Sequence, residues 1–158
     1  MKMKEMLGAW FIGVSLCSSL WACDFDCALQ THLKAIQAKD WESFEQTLTR
    51  SSLPFILPNG VMMTDAQQYR DALQPWFEAG GWQFNAKEIH RNVTAEMGVV
   101  LLDVDYDEAD RGGKPYHLDH YLTLIFKKEK EAWRLVFDQN TRYEPRSDVS
   151  IPEEPKPE

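Results

Sequence analysis

The chain has few of the residues and motifs that would assign it to a common class of enzyme. Only three of its 158 residues are cysteine, and none stands in a Cys-x-x-Cys pair. It also has no glycine-rich phosphate loop and no Gly-x-Ser-x-Gly nucleophile elbow. The sequence therefore offers no motif for disulfide exchange, for phosphate binding or for a serine nucleophile.

Positive charge is also scarce. The formal net charge is -8 and the calculated pI is about 5.0. The densest basic cluster, at Lys127, Lys128 and Lys130, is interleaved with Glu129 and Glu131, which is typical of a solvent-exposed hairpin tip. Because a nucleic-acid partner needs a concentrated basic face, we expect no binding to RNA or DNA.

A long apolar run is also missing, and the one short run lies at the N-terminus. Lys2 and Lys4 precede the apolar stretch from Met6 to Leu16, and small residues follow it. This three-part pattern predicts a secretory signal peptide at residues 1–22. The run is too short for a membrane-spanning helix, which needs about 20 apolar residues.

The end of the predicted signal peptide allows two interpretations. Leu20-Trp21-Ala22-Cys23 resembles the bacterial lipobox, which would direct lipidation of Cys23, although Trp21 departs from that pattern. Alternatively, ordinary cleavage after Ala22 leaves Cys23 and Cys27 free to form a disulfide in an oxidising compartment. Both interpretations place the protein in the bacterial cell envelope: it would be periplasmic, and attached to the membrane only through a lipid anchor if Cys23 is acylated.

The first part of the mature chain has helical periodicity. Asp26, Asp40 and a Thr64 to Gln67 capping box are candidate helix starts. The predicted helices span residues 27–38, 40–50 and 65–78. Between the second and third, residues 53–63 predict a hairpin around Pro58-Asn59-Gly60, because Asn-Gly tolerates the positive φ values of tight turns.

The second part alternates between apolar and polar residues, as strands do. The predicted strands span residues 82–92, 99–106, 117–127 and 133–143. The segment 144–158 is rich in Pro and Glu and is predicted to be a disordered tail. The folded domain is therefore expected at residues 23–143, in the α+β class, with three N-terminal helices packed against an antiparallel sheet.

Two segments carry a resemblance to a known family. The helical stretch "AIQAKDWESF" and the last strand "WRLVFDQNT" resemble the nuclear-transport-factor-2-like superfamily, particularly its SnoaL-like branch. The resemblance implies a cystatin-like fold, in which a cone-shaped, curved antiparallel sheet and the helices enclose a cavity for a small, largely apolar molecule. Relatives often pair through the outer sheet face, so the resemblance also allows a homodimer.

Strand alternation predicts which polar side chains face this cavity. The inward polar set is Tyr106, His120, Gln139 and Thr141. The carboxylates of Asp103, Asp119 and Asp138 are expected to point outward, unless a strand bulge swaps the two faces. His120 is the candidate for proton transfer, and Tyr106 is the candidate for polarising a carbonyl group.

Three functions are compatible with these residues. The first is a non-catalytic binding module with Trp76, Trp82, Phe126 and Phe137 as the cavity walls and the polar set orienting one group of the ligand. The second is an isomerase, dehydratase or hydrolase that transfers a proton through His120. The third is a dimeric interaction domain whose cavity is filled by its own side chains. Without an inward carboxylate, the binding module is the preferred hypothesis.

The sequence suggests no cofactor and no metal. Asp103-x-Asp105-x-Asp107 begins like a calcium loop, but Glu108 and Lys114 stand where that loop needs glycine and glutamate. His117 and His120 are three residues apart and would lie on opposite faces of a strand, so they cannot chelate one ion.

Overall fold

The structure is a computed structural model that describes residues 23–143. In this range the chain forms three helices and six strands. They are α1 (Phe25–Ala38), α2 (Trp41–Gln46), β1 (Ser52–Ile56), β2 (Met62–Asp65), α3 (Ala66–Ala79), β3 (Trp82–Val93), β4 (Met97–Glu108), β5 (Tyr116–Glu129) and β6 (Ala132–Arg142). The predicted signal peptide and the predicted tail lie outside the described residues. Within them, no helix is both long and apolar enough to cross a bilayer.

The helix starts differ in part from those expected. The side chain of Asp24, and not that of Asp26, caps α1 by accepting a hydrogen bond from the backbone N–H of Cys27 at 2.9 Å. Asp65, and not Thr64, caps α3. Asp40 caps α2 as expected. The shifts are small because aspartate and threonine are both good capping residues, and the local backbone decides which one is used.

Helix α2 is shorter than the predicted segment 40–50. After Gln46 the backbone leaves the helix and pairs with the last strand. The N–H of Thr49 donates to the carbonyl oxygen of Leu135 at 3.0 Å, and the N–H of Leu135 donates to the carbonyl oxygen of Thr47 at 2.8 Å. These bonds anchor the end of α2 to β6.

The six strands form one sheet in the order β2-β1-β6-β5-β4-β3. The last four strands are an antiparallel meander, whereas β1 pairs with β6 in parallel and extends the sheet beyond it. The Asn59-Gly60 turn joins β1 to β2 with Gly60 at a φ of 83°. The helices cover the inner face of the curved sheet, so the predicted α+β fold class is confirmed.

One irregularity in β6 sets which of its side chains face inward. Phe126 of β5 pairs with Leu135, but the preceding Ile125 pairs with Phe137, so Val136 is an extra residue on β6. Such a bulge reverses the alternation for everything that follows it. Leu135 still points into the core, whereas after the bulge Asp138 is buried and Phe137 is not.

The core lies between the helices and the inner sheet face. Phe25 of α1 packs edge-on against Phe126 and Trp133 at ring-centroid distances of 5.9 and 5.6 Å. Its ring lies over Gly98 of β4, where a Cβ atom would overlap with it. Glycine at position 98 therefore lets α1 approach the sheet closely.

Cys23 and Cys27 form a disulfide at the start of α1. The same sulfur of Cys23 would be needed for lipidation, so the two modifications exclude each other. Lipidation of Cys23 stays a prediction.

Candidate functional site

A cavity of about 420 Å³ lies between the helices and the inner face of the sheet. Its size falls in the range of small-molecule sites. Apolar side chains such as Ile36, Phe55 and Leu122 form much of its wall. Asn59 and Arg111, both exposed, also line it, so it opens between the β1–β2 turn and the β4–β5 loop. The cavity is therefore not filled by the side chains of the domain, as a pure interaction domain would require.

A carboxyl group, that of Asp138, lies in this cavity. Its side chain is 6% exposed. One oxygen, Oδ2, accepts a hydrogen bond from the Tyr69 hydroxyl at 2.8 Å, and the other, Oδ1, accepts one from Asn140 Nδ2 at 2.9 Å. Asn140 Nδ2 also donates to the carbonyl oxygen of Ile56 at 3.2 Å. Asp138 is thus held in one orientation by residues from α3 and β6.

Burial raises the pKa of Asp138 to about 7, because the charged carboxylate is deprived of water. The hydrogen bonds from Tyr69 and Asn140 stabilise the charged form and oppose this shift without cancelling it. No cationic side chain hydrogen-bonds to Asp138 among the described residues. The carboxyl group can therefore give or take a proton near neutral pH.

His120 also lines the cavity, as expected from strand alternation, and is 4% exposed. Its Nδ1 has no hydrogen-bond partner in the described part of the chain. Burial lowers its pKa, so the ring is neutral at pH 7. On β6, His120 pairs with Arg142, which lies four residues after Asp138. The backbone positions of His120 and Asp138 are therefore about 13 Å apart along the strand direction. Asn140, which hydrogen-bonds to Asp138, also lies close enough to His120 to oppose the lowering of its pKa, so the side chain of Asn140 stands between the two groups.

A second buried imidazole, that of His32 on α1, lines the cavity from the helical side. Its ring packs against Phe44 and Phe126 at centroid distances of 4.7 and 5.6 Å. Nδ1 lies 2.7 Å from the hydroxyl oxygen of Thr47. Burial lowers the pKa of His32 to about 3, so the ring is neutral.

Tyr106 reaches the cavity as expected, but its hydroxyl group is already engaged. It accepts a hydrogen bond from Trp76 Nε1 at 2.8 Å and donates its proton to Glu108 Oε1. Glu108 is in turn paired with Arg111. Burial and the bond to Glu108 raise the pKa of Tyr106 to about 12. To polarise a ligand carbonyl, as predicted, Tyr106 would have to release Glu108.

The structure corrects the placement of several other predicted site residues. Of the predicted walls, Trp76 lines the cavity. Trp82 stacks behind Trp76 at 3.9 Å, and Phe126 lies in the core beneath α1. The bulge at Val136 places one predicted wall residue and two predicted polar residues on the outer sheet face. They are Phe137, Gln139 and Thr141.

The same bulge brings two functional residues into the cavity that strict alternation places outside. Asp138 and Asn140 were expected outside because strict alternation was extended past Val136. Asp103 and Asp119 do lie on the outer face, so the bulge affects β6 alone. His32 was detectable in principle, because it lies on the apolar face of α1.

On the outer face, His117 lies among carboxylates. Its Nδ1 is 2.9 Å from Asp107 Oδ1, and its Nε2 is 3.3 Å from Asp119 Oδ2. Their hydrogen bonds raise the pKa of His117. Asp105, Asp107 and His117 offer ligand atoms within 4.8 Å of one another, but the group is exposed and lies outside the cavity.

Comparisons with solved structures show the same fold in proteins from three bacteria. An uncharacterized protein with a cystatin-like fold from Caulobacter vibrioides is 15% identical, with a TM-score of 0.64 over 76% of this chain and 87% of that one. A ketosteroid isomerase-like protein from Erwinia carotovora atroseptica is 12% identical, with a TM-score of 0.59 over 76% of this chain and 94% of that one. An NTF2-like protein from Cytophaga hutchinsonii is 18% identical, with a TM-score of 0.58 over 73% and 93%.

Sequence comparison gives the family. No curated protein sequence matches this chain. A family model described as a SnoaL-like domain matches residues 27–139. The matched range includes helices and strands, and it contains every residue of the cavity wall except Asn140. The chain therefore belongs to the SnoaL-like domain family.

Proposed function

We propose that this domain binds a small, mostly apolar molecule in its cavity and transfers a proton to or from it, with Asp138 as the acid-base group. The observation that carries the proposal is a buried carboxyl group facing an open, largely apolar cavity. Strict strand alternation places no carboxylate inside the cavity and therefore favours non-catalytic binding. That objection no longer applies.

The surroundings of Asp138 suit a general acid or base. A catalytic carboxyl group works best when its pKa lies near the working pH, and burial brings Asp138 into that range. Tyr69 and Asn140 orient the group and stabilise its charged form. His120, neutral and with an Nδ1 atom that has no hydrogen-bond partner among the described residues, can bind a polar atom of the ligand.

The family is compatible with this chemistry. A ketosteroid isomerase-like protein shares the fold, although at 12% identity it supports the scaffold alone. The present proposal therefore rests on the residues of this chain. It names a reaction type, proton transfer at an apolar molecule, and leaves the natural substrate open.

A model reaction tests the proposal without knowledge of the natural substrate. 5-Nitrobenzisoxazole is a small, apolar molecule that loses its ring C–H proton to a base, whereupon the N–O bond breaks and a coloured cyanophenolate forms. We expect the protein to accelerate this elimination, with kcat/KM rising with pH and levelling off above about 7, as the base ionises. The Asp138→Asn variant should lose at least about a hundredfold in kcat/KM.

Asp71→Asn is the matched control, because Asp71 is exposed on α3 and lies outside the cavity wall. It should retain the wild-type rate. If Asp138→Asn and Asp71→Asn are equally active, Asp138 is not the base. If the wild type binds the probe but gives no acceleration, the non-catalytic binding module replaces the present proposal.

A further inference from the structure

We propose that His32 determines ligand specificity: its Nε2 accepts a hydrogen bond from a hydroxyl group of the bound molecule. This inference rests on the proposed ligand-binding function of the cavity and adds a second recognition point to it. His32 has no part in the proton transfer proposed for Asp138. It lines the cavity from α1, on the helical side, whereas Asp138 lines it from β6 of the sheet.

The hydrogen bonds around Thr47 set the tautomer of His32. A threonine hydroxyl has one proton to donate. Thr47 Oγ1 uses it in a 2.6 Å hydrogen bond to the carbonyl oxygen of Phe44. The 2.7 Å contact between Thr47 Oγ1 and His32 Nδ1 must therefore have the imidazole as donor. The proton of the neutral ring is on Nδ1, and Nε2 carries a lone pair.

We infer by elimination that the lone pair of Nε2 points to the cavity. His32 is 1% exposed and lines the cavity, and no residue within 23–143 hydrogen-bonds to its Nε2. Phe44 and Phe126 hold the ring from two sides, so it cannot turn freely to find another partner. Within residues 23–143 only His120 Nδ1 is both fully buried and without a partner, so Nε2 of His32 is accessible from the cavity. A hydrogen-bond donor on whatever occupies the cavity can therefore reach it.

The chemistry of an unprotonated imidazole nitrogen selects among ligand groups. Burial keeps the ring from taking a second proton, so it cannot donate from Nε2 to a carbonyl, an ether or a carboxylate. Two lone pairs facing each other repel, whereas a hydroxyl group supplies the proton that Nε2 needs. A hydroxyl group is the simplest such donor on an otherwise apolar molecule, so the proposed ligand class is an apolar molecule with a hydroxyl group at the end that contacts α1.

The test compares two probes that differ in one hydrogen-bond donor. 2-Naphthol has a hydroxyl group, and 2-methoxynaphthalene has an ether oxygen at the same position. Both are small, largely apolar and uncharged at neutral pH. We expect the wild-type protein to bind 2-naphthol about threefold to tenfold more tightly, as one net hydrogen bond allows, by titration calorimetry.

Variants of His32 separate this role from packing. His32→Phe keeps an aromatic ring against Phe44 and removes the acceptor, so the two probes should bind equally. His32→Gln supplies an amide oxygen in place of Nε2 and should restore part of the preference. His90→Phe is the matched control, because His90 is exposed on β3 and lies outside the cavity wall. It should retain the wild-type preference.

Nitrogen-15 NMR of histidine-labelled wild-type protein gives an independent readout that no variant can confound. The spectrum should show His32 protonated at Nδ1 only, and the Nε2 signal should shift on addition of 2-naphthol and not of 2-methoxynaphthalene. A proton on Nε2, equal binding of the two probes by the wild type, or a preference that survives in His32→Phe would each overturn the proposal for His32.

The outcomes also distinguish this inference from the proposed function. If 2-naphthol is preferred but 5-nitrobenzisoxazole is not converted, the specificity role of His32 stands and proton transfer by Asp138 fails. If 5-nitrobenzisoxazole is converted but the two naphthalenes bind equally, proton transfer by Asp138 stands and the specificity role of His32 fails. If neither naphthalene binds the wild type, the specificity role of His32 fails together with small-molecule binding in the cavity.

Discussion

Replacing Asp138 by asparagine should change how the stability of the protein depends on pH. The pKa of this carboxyl group is about 7 in the folded protein, against 3.8 for an unperturbed side chain. Between these values the folded state holds a proton that the unfolded state has lost. The wild-type carboxyl group therefore loses its stabilising contribution as the pH rises from about 4 to about 7. Asparagine cannot ionise and removes this dependence.

The magnitude follows from the size of the shift. The pKa is displaced by about three units, and each unit corresponds to about 1.4 kcal/mol. The free energy of unfolding of Asp138→Asn minus that of the wild type should thus rise by on the order of 4 kcal/mol from pH 4 to above pH 7. Altered hydrogen bonds to Tyr69 and Asn140 add an offset that does not vary with pH in this range.

The wild-type protein alone would hide this effect. The pKa of His32 is lowered to about 3 from 6.5, so this residue contributes stability above about pH 6.5 that is lost as the pH falls. Over much of the interval from pH 4 to 6.5 the contributions of His32 and Asp138 have opposite signs and nearly cancel. Only the difference between variant and wild type isolates Asp138.

Urea unfolding at several pH values from 4.5 to 8 measures the difference. The curve for Asp138→Asn should rise with pH relative to the wild type, and the curve for His32→Phe should fall, because the Asp138 contribution then acts alone. Asp71→Asn should run parallel to the wild type, since Asp71 is exposed. If Asp138→Asn also runs parallel to the wild type, burial does not raise the pKa of Asp138 and the argument for its role fails.

Three further predictions concern other parts of the molecule. Gly98→Ala should lower the free energy of unfolding by about 1–3 kcal/mol in urea titrations, because the added methyl group overlaps with the Phe25 ring. Tyr69→Phe removes a hydrogen bond to the charged form of Asp138. The midpoint of the pH profile of the model reaction should therefore move up by about one to two units. Intact-mass measurement of envelope-derived protein should show a chain that begins at Cys23 and is two hydrogens lighter than its reduced form, owing to the disulfide.

Each of these has its own control or contrary result. Gly81→Ala should leave stability within about 0.5 kcal/mol, because the nearest atom to its Cβ would be a carbonyl oxygen at 3.9 Å. Tyr121→Phe, on the exposed outer face, should leave the pH profile unchanged. A mass that includes a diacylglyceryl group on Cys23 would replace the disulfide by the lipid anchor, and an uncleaved cytoplasmic chain would contradict export.

The polar end of the last strand shows where prediction from sequence stops. The apolar run from Trp133 indicated a strand, and the resemblance indicated that its end borders a cavity. Alternation then predicted Gln139 and Thr141 inside. The structure reverses this, because one extra residue at Val136 shifts the register. Both Val136 and its neighbours are good strand residues, so nothing in their composition marks the bulge.

The sequence by itself determined the elements of this protein and their class. Helical spacing, capping residues and the Asn59-Gly60 turn are local signals, and each depends on residues only a few positions apart. They sufficed for the three helices, the long strands and the α+β fold. Cavity-facing positions on β4 and β5, such as Tyr106 and His120, also followed from alternation, because those two strands are regular where they pair.

Only the tertiary structure decided what the cavity contains. The parallel pairing of β1 with β6, the partner of His32 at Thr47 and the contact of Tyr69 with Asp138 join residues that are distant in the chain. The protonation of Asp138 and His32 depends on burial and on those partners, and neither is a property of a residue's neighbours in sequence. The site is therefore set by packing between layers, which local patterns do not encode.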